Sequence, residues 1–134
     1  PVNFVIFGDG SQVGIATDMG IVTQLVYHRL RGSDFVVIEA NYDRDLLMQG
    51  SYPWNLKRRI SSSHGHLSNF RASEVLSRLA EEGLKKAVLA HLSRENNRPD
   101  LAERGCNERL EAQGITDFFL CVAEPDRPTD IFVI

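Results

Sequence analysis

Asp18, in Ala16-Thr17-Asp18-Met19-Gly20, and His91, in Leu89-Ala90-His91-Leu92-Ser93, each directly follow an apolar, strand-like run. Strand ends are where α/β sheets place their active sites. A carboxylate can give one oxygen to each of two divalent ions about 3.5–4 Å apart, and an imidazole nitrogen is the usual ligand of zinc and acceptable to manganese or iron. Between them lies Gly65-His66-Leu67-Ser68, a polar group at the opening of a helical pattern. Chemically capable side chains therefore come from three separate strand or loop ends. Taken singly, each has an ordinary use: an Asp near a Gly forms turns or caps helices, and a lone His after a strand is a structural hydrogen-bonding group.

The elements that must position these groups follow from periodicity. Residues 2–7 and 12–16 are apolar-rich and joined by Gly8-Asp9-Gly10-Ser11, which predicts an opening β-hairpin. Ile21, Leu25, Val26 and Leu30 recur at helical spacing, predicting a helix over residues 20–30 that ends in Arg29, Arg31 and Gly32. The run 35–38 reads as a strand buried on both faces, ending in Glu39-Ala40-Asn41. Short helices follow over 43–48 and 54–60, the second with Lys57, Arg58 and Arg59 exposed. Ser68 is the N-cap expected for a helix through Ala80, with Ala72, Val75, Leu76 and Leu79 on one face and Gly83 as its stop. Residues 87–90 form a short strand that delivers His91, and a polar loop through Asn97 leads to a helix from Pro99. Residues 118–122 and 131–133 read as two closing strands around the turn 124–129.

Composition bounds the class. At 134 residues the chain is one domain, residues 1–134, large enough for a core of its own. No apolar run approaches the roughly 20 residues that span a bilayer, and no secretory leader pattern is present, so a cytoplasmic protein without membrane association is expected. A net charge of −3 argues against gripping nucleic acid by overall charge. Cys106 and Cys121 lack metal-knuckle or redox spacing and read as buried free thiols.

In order and context, the TDMG, GHLSN and AHLSRENN segments resemble the C-terminal half of a metallo-β-lactamase-fold hydrolase, in particular the small bacterial exonuclease-like phosphodiesterases. A more distant likeness is to the tRNA 3′-processing endonucleases. The resemblance runs through nearly the whole chain and implies a fold: an α/β mixed sheet with helices on one face, the second half of an αββα sandwich. It implies Asp18 as the ligand bridging two metals and His91 as a ligand of the second site, with two divalent ions in the intact enzyme, zinc first and manganese as the alternative. It also implies that His66 sits beside the scissile phosphate and exchanges a proton with Glu39, which orients the imidazole and raises its basicity. Such enzymes carry a His-x-His-x-Asp-His cluster in their N-terminal half, and this sequence has no such run. The chain opens at Pro1 and enters a strand pattern almost at once, which predicts a fragment of a longer protein.

The expected function is therefore that of the C-terminal half of a binuclear hydrolase acting on phosphodiesters, with nucleic acid as substrate. The fragment alone is expected to be inactive and to bind metal weakly. Its open apolar sheet face predicts self-association or pairing with another chain. Two alternatives stand beside this: a non-catalytic α/β interaction module that keeps Asp18 and His91 as scaffold, and a metallo-hydrolase of thioesters or lactams. His64 reads as a non-ligand and His28 as a solvent-facing residue of the first helix, while Asn41 and Asp43 fit a cleft lining or a polar turn equally well. Lys57, Arg58, Arg59, Arg71 and Arg94 could form a phosphate-contacting rim, with Tyr52 and Trp54 available to stack on bases; a solvated helix face explains them as well.

Overall fold

A computed structural model describes residues 2–134. Phe4–Gly8 (β1) and Ser11–Ala16 (β2) form the opening hairpin, with Asp9 and Gly10 at φ 50° and 83° in its turn. Positive φ at both central residues is what a type I′ turn requires, and Asp-Gly supplies it. Phe35–Glu39 (β3), Lys86–Ala90 (β4) and Phe119–Val122 (β5) complete a five-stranded sheet in the order β1-β2-β3-β4-β5. β1 is antiparallel to β2, whereas β2 to β5 are all parallel. Parallel neighbours need crossover connections. Gln24–Leu30 (α1) links β2 to β3; Arg44–Gln49 (α2), Trp54–Ile60 (α3) and Asn69–Glu81 (α4) link β3 to β4; Pro99–Ala112 (α5) links β4 to β5.

Side chains alternate across each strand. Ala16, Val36, Ile38, Ala87 and Leu89 share the face against which Leu30, Leu76, Leu79, Cys106 and Leu110 are buried by α1, α4 and α5. Each fully buried Leu or Ile there contributes roughly 1.5–3 kcal/mol. Local signals start the helices: the Ser68 hydroxyl accepts the Arg71 N–H, the Asp43 carboxylate accepts those of Asp45 and Leu46, and Pro99 opens α5. The Tyr27 hydroxyl donates to Glu82 at 2.8 Å and Arg31 pairs with the same carboxylate, tying α1 to the end of α4 and holding the Glu82 carboxyl below the usual range. On the opposite face Phe4 and Ile6 are 55% and 54% exposed. Phe132 stacks there, its ring 5.2 Å from that of Phe35 and 5.6 Å from that of Phe119. The whole is a mixed α/β sheet flanked by helices, consistent with one half of a metallo-β-lactamase sandwich. Among the described residues no helix is long and apolar enough to cross a membrane.

Several expectations are corrected. The first helix begins at Gln24, with the Thr23 hydroxyl accepting the Val26 N–H, and Ile21 and Leu25 are exposed. The apolar spacing reaches back to Ile21, but Gly20 is committed to a backbone contact with Ser62 and Ser63 that fixes the preceding loop. Residues 131–133 form no strand, because Phe132 packs its ring on the sheet face rather than pairing at an edge. Lys57 is buried, donating from Nζ to the carbonyls of Met48 and Gly50 at 2.7 and 2.6 Å. Those carbonyls end α2, and a cation suits a helix C-terminus. Cys106 is buried and its thiol is pushed up to about 12 by desolvation, whereas Cys121 is only half-buried.

Candidate metal centre

Neighbouring strands lie about 4.8 Å apart, so the C-terminal ends of the parallel β2, β3 and β4 stand side by side. Glu39 closes β3, Asp18 lies two residues beyond β2 and His91 immediately beyond β4, while His66 comes from the loop into α4. Asp18 Oδ1 is 3.6 Å from His91 Nδ1 and 4.0 Å from His66 Nδ1. Asp18, Glu39, His66 and His91 each offer a donor atom within 4.8 Å of the others. The structure thus brings together all four site residues named from the sequence.

Glu39 is the hub. Its side chain is fully buried, and a carboxylate survives burial only when hydrogen-bonded. Oε1 accepts from His66 Nδ1–H at 2.6 Å and from His91 Nδ1–H at 2.8 Å; Oε2 accepts the backbone N–H groups of Met19 at 3.0 Å and Leu67 at 3.3 Å. A carboxylate oxygen only accepts, so each neutral imidazole that donates Nδ1–H keeps its Nε2 lone pair for a cation. Carboxylates commonly orient metal-binding imidazoles in this manner. Oxygen and imidazole nitrogen together are a donor set that fits zinc or manganese.

Asp18 and His91 share a backbone peculiarity: their φ values are 56° and 57°, in the left-handed region. Non-glycine residues there cost about 1–2 kcal/mol, and such strain gathers at functional sites. Asp18→Gly is therefore expected to stabilise the fold slightly while removing a ligand. Relief of about 1–2 kcal/mol is partly offset by about 0.4–1 kcal/mol of added freedom in the unfolded chain, leaving a net gain of about 0.8 kcal/mol. Urea unfolding checks this, and a midpoint below that of the unsubstituted chain would show that Asp18 is not strained.

Asparagines fix the loops beneath the cluster. Asn41 Nδ2 donates to the His91 carbonyl at 2.7 Å, and the Asn41 carbonyl accepts the Ser93 N–H at 2.8 Å. Asn97 donates to the Ala40 carbonyl, and its amide pairs reciprocally with that of Asn69, each bond 2.8 Å. In sequence Asn41 was indistinguishable from a turn residue; its partner lies 50 residues away, beyond any local pattern.

The cluster borders an open cleft of about 700 Å³ whose lining includes Asp18, Asn41, His66 and His91 on the strand-end side. Tyr52, Leu56, Arg59, Ile60 and His64, from α3 and its flanks, complete the wall. Of the expected cationic rim only Arg59 lines it: Lys57 is buried and Arg94 pairs with Asp126. Arg58, Arg71 and Trp54 lie outside the lining. His64 lines the cleft but stands outside the four-residue cluster, its Nδ1 3.2 Å from Ser63 Oγ, and His28 is exposed on α1.

The mixed α/β sheet thus brings carboxylate and imidazole donors together at adjacent strand ends, a group that could hold a metal ion. The chain matches no family model. It is 31% identical over 134 residues to exodeoxyribonuclease YycJ of Bacillus anthracis, a match covering 98% of this chain and 51% of that protein. It is also 36% identical over 126 residues to exodeoxyribonuclease WalJ from two strains of Streptococcus pneumoniae, covering 92% of this chain and 47% of those proteins. The similarity is thus to bacterial proteins named as nucleases, and the chain spans about half the length of these relatives.

Proposed function

We propose that this chain is the C-terminal half of a metallo-β-lactamase-fold nuclease that hydrolyses phosphodiester bonds of DNA with two divalent ions. The observation that carries the reading is the convergence of Asp18, Glu39, His66 and His91 within 4.8 Å at adjacent strand ends. Asp18 and His91 would hold the ions, zinc or manganese, together with ligands from another half. Bound there, divalent ions would polarise the scissile phosphate and activate water. Asp18 projects its carboxylate, 57% exposed, into the cleft. Glu39 orients both imidazoles, and His66 is placed to pass a proton to the leaving oxygen.

Two ligands cannot hold two ions tightly, so the chain alone is read as inactive and weakly metal-binding. The exposed Phe4 and Ile6 support a partner half, or a second copy, on the open sheet face. The relatives' names favour phosphodiesters over thioesters or lactams, and the convergent cluster favours an enzyme over a bare interaction module. The test is made in a longer protein that supplies the other ligands. Asp18→Ala and His91→Ala are each expected to slow cleavage of end-labelled single-stranded DNA at least about 100-fold, because even residues that merely orient ligands cost 10–100-fold. Unchanged cleavage in either variant would overturn the reading.

A further inference from the structure

We propose that α3 carries a subsite for one nucleotide of a single strand, in which Arg59 pairs with a phosphate and Tyr52 stacks with the attached base. The inference rests on the nuclease reading above and names how the substrate is held.

Leu56, Arg59 and Ile60 stand at i, i+3 and i+4 on one face of α3, and all three line the cleft with Tyr52, two residues before the helix. Arg59 is the one Lys or Arg in that lining. It is exposed and forms no ion pair among the described residues; Arg58 and Arg71 form none either but lie outside the lining. A guanidinium left unpaired beside a carboxylate cluster is matched to a planar anion that accepts two hydrogen bonds, as a phosphate does. The apolar floor of Leu56 and Ile60 with the Tyr52 ring offers what a base needs, since aromatic stacking accepts any base. A cleft near 700 Å³ holds a nucleotide with room for its neighbour. A base within a duplex cannot reach such a wall, so the strand bound is single.

The wall is fixed in place. Lys57, on the next face of α3, anchors the helix to the Met48 and Gly50 carbonyls, and Gly65 packs against the Arg59 and Ile60 carbonyls. With a net charge of −3, the chain has no general attraction for a polyanion, so a local cation must supply it.

The test follows backbone amide signals by NMR while the protein is titrated with 5′-phosphorylated thymidine dinucleotide and, separately, with inorganic phosphate. Saturable shifts are expected at Leu56, Arg59 and Ile60. Arg59→Gln should weaken dinucleotide binding about tenfold or more, as expected for loss of a charge-assisted pair, and Arg58→Gln, outside the lining, should leave it unchanged. Tyr52→Leu should weaken the dinucleotide and leave inorganic phosphate unaffected. Equal affinities for Arg59→Gln and the unsubstituted protein, or shifts confined to other elements, overturn the subsite. Zinc titration of the longer protein that supplies the other ligands separates the two readings. Zinc shifts at Asp18 and His91 with α3 unmoved by the dinucleotide remove the subsite alone; α3 shifts without any zinc response leave the subsite standing and remove the metal centre.

Discussion

Replacing Gly20 with Ala is expected to separate Asp18 from His66 and to cost about 3 kcal/mol of stability. The added Cβ would stand 2.0 Å from the Ser62 carbonyl oxygen and 2.6 Å from the Ser63 carbonyl carbon. Both are backbone atoms, so no rotamer relieves the clash. The loop holding Asp18 must then withdraw from the loop holding His66. For a domain of this size the midpoint of thermal unfolding should fall by about 10 °C, and zinc affinity should fall with it. Gly65→Ala meets the Ile60 and Arg59 carbonyl oxygens at 2.1 and 2.2 Å and should behave alike. Gly8→Ala meets nothing within 4 Å and serves as the comparison. Should Gly20→Ala and Gly8→Ala melt together, the close approach of the two loops is not what holds the site.

The second large effect is expected at Glu39→Gln. Four donors converge on the Glu39 carboxylate, and an amide offers one oxygen and one NH₂ in its place. If the amide oxygen keeps the Met19 and Leu67 N–H groups, the NH₂ faces the imidazoles. They can accept from it only by moving their protons to Nε2, which removes the lone pair a cation needs. Stability should fall by about 1.5–3 kcal/mol, as expected when a hydrogen bond to a charged group is lost, and zinc affinity by about 10–100-fold. Urea unfolding of this chain and calorimetric zinc titration of the longer protein that supplies the other ligands measure the two separately. Wild-type zinc affinity in the Gln variant would show that Glu39 does not orient the ligands.

Much of the order of elements was legible because it is written locally. Asp-Gly made the hairpin, Ser68 and Pro99 opened their helices, and apolar runs marked β3 and β4. Asp18, His66 and His91 stood out because each abuts such a run or a cap, but their roles, and the choice of Glu39, came from the family likeness. What escaped depends on distant partners. Lys57 sits between Leu56 and Arg58 and reads as solvent-facing until α2 presents its terminal carbonyls. The likeness coupled Glu39 to His66 alone, whereas the Glu39–Ala90 register of β3 and β4 puts His91 on the same carboxylate oxygen. Residues 131–133, Ile-Phe-Val, form a short apolar run that reads like a strand, but their fate turned on aromatic partners at Phe35 and Phe119.

The hydrogen bonds to Glu39 also govern when the site can come into being. They span 20, 27, 28 and 52 residues of chain. Each is a loop whose closure costs entropy before any bond repays it, and contacts of such separation form slowly. No short stretch of the unfolded polypeptide can preassemble the four donors. The cluster arises only once β3, β4 and the start of α4 have docked, so cation uptake during refolding should trail the acquisition of the sheet rather than nucleate it.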